Sequence, residues 1–205
     1  MYENILTQNQ MVLAEKLLPA CSDFYLAGGT ALALQIGHRR SIDFDLASYN
    51  KINPFMLERK LISMDFDVQT IFTATGDELS VLINGIKVTF FMFPFIIKPE
   101  VFWETGQINL PRTIELGAMK AYALGRRSKW KDYIDLYFLL KFKLSMRELI
   151  ERAKQIFGSN FNSRLFREQL CYFADIDFSE TIEFVDFAPG DKEIKNFLES
   201  IAIKI

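Results

Sequence analysis

The sequence predicts an α+β fold, and three features carry that prediction. Strand-like runs crowd residues 1–110, helical periods take over after Pro111, and near the start a strand-like FYLA runs into Gly28-Gly29, a short helical pattern and a second strand. An α/β half, 1–110, with a helical half, 111–205, packed on it is the simplest architecture these features allow. With 205 residues, half of them hydrophobic and 20 of them phenylalanine, the chain is long enough for one sizeable core and too apolar for disorder.

In chain order, Met11, Leu13, Ala14, Leu17 and Leu18 recur with helical spacing until Pro19 ends the pattern. FYLA is a short buried strand, TALALQI a helix of about two turns, and SIDFDLA a strand. Asn53 and Pro54 suit the N-cap and first residue of the helix FMLERKLISM: the amide side chain can accept from free backbone N–H groups, and proline has none to leave unpaired. Three strand-like runs follow, VQTIFTA, LSVLI and IKVTFFMF. The last two are joined by Asn84-Gly85, a pair that tolerates the positive φ angles of a type I′ turn. Beyond Pro111 come the helical patterns TIELGAMKAYALGRR, KDYIDLYFLLKF and SMRELIERAKQIF, the last opened by a capping box of Ser145 and Glu148.

The opening MYENILTQNQ lacks the basic start and apolar stretch of a signal peptide, and VTFFMFPFII is too short to span a bilayer. A soluble, cytoplasmic protein without membrane partners is expected. Cys21 and Cys171 belong to no CxxC pair, so they read as small core residues rather than a zinc site or disulfide framework. The net charge of −2 conceals an asymmetry: six basic residues and one acid lie between Leu110 and Lys131, but eight acids and three lysines lie from Tyr172 onward. A polyanionic substrate would be drawn to the middle of the chain.

The chemistry is concentrated in LAGGTALALQIGHRRSIDFDL, residues 26–46. Strand residues two apart share a face, about 6.6–6.8 Å apart along the chain. Asp43 and Asp45 therefore project together, with Ile42, Phe44 and Leu46 expected in the core. Two carboxylates side by side repel unless a positive charge lies between them. A hard divalent ion, Mg²⁺ or Mn²⁺, meets that need and leaves positions open for substrate phosphates. The glycines supply the complement. A strand ending at Gly28-Gly29 and a helix beginning near Thr30 present free backbone N–H groups with no side chain to block a phosphate. Thr30 can add a hydroxyl. Either feature alone is commonly only a turn or a solvated acidic face; their order, with thirteen residues between Gly29 and Asp43, is what points to a nucleotide site.

The order GG, short helix, Asp-hydrophobic-Asp resembles the DNA polymerase β-like nucleotidyltransferase superfamily. The fuller AGGTALALQIGHRRSIDFDL, followed by ELGAMKAYALGRRSKWKDYIDLYFLL, is similar to its AbiEii/AbiGii-type toxin branch, over roughly residues 20–145. The resemblance implies a mixed sheet with flanking helices. It further implies Asp43 and Asp45 as metal ligands, Lys120 on the nucleotide phosphates, and Asp132 and Asp135 completing the site. An NTP as donor, an RNA (tRNA included) or protein hydroxyl as acceptor, and a cognate antitoxin as partner follow from it too.

The residues themselves leave some of these roles open. Lysine is a compact charge suited to phosphate, and Arg127 lies seven positions beyond Lys120 on the same helical face. Asp132 and Asp135, three apart, could equally pair with Arg126 or Arg127 and fasten two helices together. His38, Arg39 and Arg40 either complement the end of the short helix or form a basic rim. Two departures stand out. The strand KVTFFMF, 87–93, contains no third carboxylate, so either Asp132 or Asp135 substitutes from the helical half or one metal suffices, and Gly29 stands where many superfamily members have serine.

Overall fold

The structure, a computed structural model, describes residues 1–204 apart from 75 and 125. A five-stranded mixed sheet runs in the order β1-β2-β5-β4-β3, from β1 (Tyr25–Ala27), β2 (Phe44–Ser48), β3 (Val68–Ala74), β4 (Glu78–Ile83) and β5 (Ile86–Met92). β2 and β5 are parallel, and the other three pairings are antiparallel. The fold is thus the mixed α+β type expected from the sequence. Asn84 and Gly85 both adopt positive φ, 50° and 79°, as the type I′ turn between β4 and β5 requires. A small hairpin absent from the sequence reading, β6 (Val101–Trp103) with β7 (Ile108–Leu110), follows the sheet. Its strands of three residues are too short for alternation to register.

Helix α1 (Gln8–Leu17) starts at a capping box formed by Thr7 and Gln10. Helix α2 (Gly28–Ile36) follows β1 directly and ends at Gly37 in the left-handed region. Helix α3 (Pro54–Ser63) is capped by the Asn53 side chain. Phe44, Leu46, Val88, Phe90, Leu79 and Val81 form one sheet face and are fully buried in the core with α1 and α2. The helical half comprises α4 (Thr113–Leu124), α5 (Trp130–Phe142), α6 (Met146–Phe157), α7 (Ser163–Leu170) and α8 (Asp191–Ala202). These helices enclose a second apolar cluster, and α4 serves both: Leu116 faces the first, while Ala118, Ala121 and Leu124 face the second. Among the described residues no helix is long and apolar enough to cross a membrane.

One expectation is corrected here. Ile42 is 68 % exposed rather than buried, because β2 begins only at Phe44 and the strand alternation does not extend back to 42. The acidic end of the chain does not stand apart from the basic middle. The segment after α7 crosses back so that Asp177 meets Lys129 at 2.6 Å, Glu180 meets Lys131 at 2.6 Å and Glu183 meets Arg40 at 2.7 Å. Backbone bonds from Asp177 N–H to Ser128 O and Arg40 N–H to Glu183 O fix the crossing. As for the cysteines, Cys21 is buried in the core and Cys171 is half-buried.

Candidate active site

Residues on the other face of the sheet line a cleft of about 440 Å³ roofed by α4. Gly28 and Asp45 stand at one side and Thr89 and Ser80 continue the floor, since Asp45 is paired with Thr89 and Thr89 with Ser80. Lys120, Arg126 and Arg127 come from α4 and the residues just beyond it.

Gly28 has φ +68°, and a Cβ there would lie 2.0 Å from Asp45 Oδ2. The glycine is therefore what lets the Asp45 carboxylate lie against the start of α2. Gly28→Ala is expected to cost about 1–2 kcal/mol from the left-handed backbone alone and to displace Asp45. A lowered thermal midpoint, with loss of any nucleotide binding in Mn²⁺ while melting stays cooperative, would display both effects. Gly29 answers a different need. A Cβ there would meet Arg39 Nη2 at 2.5 Å, so this glycine accommodates a guanidinium behind the turn. Thr30 does not reach the cleft: it is 1 % exposed, and its hydroxyl donates to the Asp43 carbonyl and sits 2.8 Å from Ser41 Oγ. The phosphate-binding hydroxyl expected of Thr30 is corrected to a tie between α2 and the loop entering β2. Ser41 is buried in the same tie and also presents its carbonyl to Gln10.

Asp43 precedes β2 and is half-buried, near enough to Asp45 for its charge to act on it. Burial pushes the Asp45 carboxyl above the ordinary range; Lys120 opposes this most strongly, and Asp43 adds to it. No hydrogen-bond donor among the described residues engages the Asp45 carboxylate. It is an acid held ready rather than satisfied. Two carboxylate side chains with no third acidic, histidine or cysteine side chain grouped beside them among the described residues fit Mg²⁺, which commonly takes one or two carboxylates and fills its remaining positions with water and substrate phosphate.

Asp132 and Asp135 are fully buried and do not join that pair. Asp132 accepts from Lys120 at 2.6 Å and from Arg127 Nε at 2.9 Å and Nη2 at 3.2 Å. Asp135 accepts from His38 Nε2 at 2.7 Å, Arg39 Nε at 2.8 Å and Nη2 at 3.1 Å, and meets Lys120 at 2.7 Å. Burial alone would raise both carboxyls. The charges of Lys120 and Arg127 outweigh it at Asp132, as do those of Arg39 and Lys120 at Asp135, and both acids are held below their usual range. Burial lowers His38, which donates from Nε2 as a neutral ring and leaves Nδ1 unpartnered. Replacement of a third metal ligand by Asp132 or Asp135 is therefore corrected, because every oxygen of these acids is engaged by cations. They position Lys120 and Arg127 instead. Arg126 takes neither acid; it stacks on Tyr122 at 3.5 Å. His38 and Arg39 are buried and form no basic rim.

Several cleft residues carry no signal in the sequence, Ser80, Thr89 and Glu78 among them. Glu78, at the start of β4, lines the same cavity. A lone glutamate before LSVLI carries no local signal, and only sheet register brings it to this floor.

Fold and site together define the class: a nucleotidyltransferase fold, with a cleft lined by Asp45, Lys120 and, at the start of α2, Gly28, while Asp43, just before β2, is not among the residues that line it. A candidate nucleotidyltransferase from H. pylori aligns with a TM-score of 0.55 and 18 % identity, over 98 % of this chain and 94 % of that one. JHP933 from Helicobacter pylori aligns at 0.52 and 19 %, over 98 % and 90 %. MenT4, a nucleotidyltransferase toxin from Mycobacterium tuberculosis H37Rv, aligns at 0.57 and 13 %, over 95 % and 80 %. The resemblance read from the two motifs is borne out at the level of the fold. The chain belongs to one family with uncharacterised protein aq_aa25 of Aquifex aeolicus (strain VF5), 31 % identical over 201 residues covering 95 % of this chain and 94 % of that protein. No protein-family model matches the chain.

Proposed function

We propose that this protein is a metal-dependent nucleotidyltransferase acting on an NTP. The observation that carries the reading is the convergence of Asp45, Gly28, Lys120 and Arg127 on one cleft. Asp43 and Asp45 would hold Mg²⁺ or Mn²⁺, which when bound neutralises phosphate charge and orients the α-phosphate. Lys120 and Arg127, with the start of α2 at Gly28 and Gly29, bind the triphosphate. An acceptor hydroxyl forms a bond to the α-phosphorus, the bond to the β-phosphate oxygen breaks, and pyrophosphate leaves while the hydroxyl proton is released. The chain's contribution is positioning and charge neutralisation. RNA, tRNA included, is the acceptor class we favour, with a protein hydroxyl as the other. The fold shared with MenT4 supports a toxin role with a cognate antitoxin.

The absence of a third carboxylate grouped with Asp43 and Asp45 among the described residues favours a second reading, a nucleotide-binding or partner-binding module without turnover. Incubation with labelled NTPs, Mg²⁺ or Mn²⁺ and total RNA, alongside Asp43→Ala, separates the two. Label transferred by the parent and not by the variant supports the enzyme. Nucleotide binding without transfer to RNA or protein supports the module.

A further inference from the structure

The cleft holds one acid that nucleotidyl transfer leaves without a role. Glu78 shares the cavity with Lys87, Lys120, Arg126 and Arg127, and a carboxylate among four cations works against the binding of a polyphosphate. Sheet register places it away from the metal-binding pair. It lies on β4, two strands from Asp45 and two residues further along, opposite Phe91. Two strand spacings span about 9–10 Å, whereas ligands of one magnesium ion lie about 2.0–2.1 Å from it. Glu78 is therefore not the missing third ligand.

Its surroundings suit a different partner. Ser80 Oγ donates to Glu78 Oε1 at 3.2 Å and lies 3.2 Å from Thr89 Oγ1, so a short hydroxyl row steadies the carboxylate on the cleft floor. Phe91 lies beside it in register and also faces the cavity, giving the flat apolar surface that a base can cover. A carboxylate only accepts hydrogen bonds. The ionised phosphates of a nucleotide offer none, so the donors must be sugar hydroxyls or base N–H groups. Resting on the NTP reading above, we propose that Glu78, steadied by Ser80 and Thr89, recognises the nucleoside end of the substrate while the triphosphate lies on the cations.

Calorimetric titration of the full chain in Mn²⁺ with NTPs and with inorganic tripolyphosphate, which has no nucleoside, tests this. Glu78→Gln is expected to weaken the preferred NTP at least about tenfold, as for a hydrogen bond to a charged group, while tripolyphosphate binds as tightly as before or more so. Ser80→Ala should give a smaller loss of the same kind, and serves if the glutamine variant misfolds. Within the supporting result, loss restricted to ribonucleotides over 2′-deoxynucleotides assigns the contact to the sugar, and loss restricted to one base assigns it to the base edge. Equal weakening of NTP and tripolyphosphate, or unchanged NTP affinity, overturns the proposal. A parent that binds neither ligand overturns the NTP reading together with it; a parent that binds both while the variants match it overturns this inference alone.

Discussion

Asp45→Asn is expected to raise the thermal midpoint at pH 7 while reducing nucleotidyl transfer by at least about a hundredfold, the scale of losing one key electrostatic contact to the reacting group. The stability effect follows from burial. Burial lifts the Asp45 carboxyl above its ordinary 3.8, and the opposing charge of Lys120 does not restore it. Above pH 3.8 an unfolded chain releases that proton while the folded chain retains it, so stability is lost as pH rises through 3.8 to the folded value. Asparagine never ionises and escapes that loss. The difference in midpoint between variant and parent should therefore grow as pH rises from about 4 and then level off. Mn²⁺ should stabilise the parent and leave the variant unmoved, because only the parent offers the full carboxylate pair. Melting curves across pH, with and without Mn²⁺, check this. A variant less stable than the parent at pH 7 would mean that Asp45 is a structural acid, and the metal-binding role would go with it.

Individual residues show how far local sequence reaches. Gly28-Gly29 before a short helix, the Asn84-Gly85 turn and the Ser145 capping box depend on neighbours within a few positions, and each was legible in the sequence. Thr30 was misread because its partners, Ser41 and the Asp43 carbonyl, become neighbours only when α2 folds back beside β2. His38 and Arg39 were misread for a related reason: the acid that buries them lies 97 and 96 residues away. The charge asymmetry, read along the chain, could not show that the acidic tail folds back onto Lys129, Lys131 and Arg40. Glu78 was invisible because its place in the cleft depends on register across two strands. What the sequence concealed was long-range pairing of charges, which no spacing rule encodes.

Those pairings make the second large prediction. Buried Arg39 and Lys120, with the half-exposed Arg127, set three positive charges against the two of Asp132 and Asp135, with His38 neutral, so the cluster carries one surplus positive charge, on its solvent side. Lys120 and Arg127 both act on Asp45, so the surplus is felt on the cleft side, where a triphosphate would use it. Removing an acid raises that surplus inside the protein. Asp135→Ala, which strands Arg39 and Lys120 together, is expected to cost about 3–5 kcal/mol, the range for breaking a buried ion pair. Lys120→Met should cost less, because Asp132 keeps Arg127 and Asp135 keeps Arg39. If the two residues are directly coupled, the double variant should fall short of the summed losses by about 0.5–3 kcal/mol. Urea unfolding of the four chains measures that term. The roles should also separate in binding: Lys120→Met weakens tripolyphosphate, whereas Asp135→Asn, which retains the side chain's shape, leaves a lysine in place to bind it. Strict additivity of the stabilities would show that Lys120 and Asp135 do not act as one unit, and the account of Asp135 as the residue that holds Lys120 in place would fail.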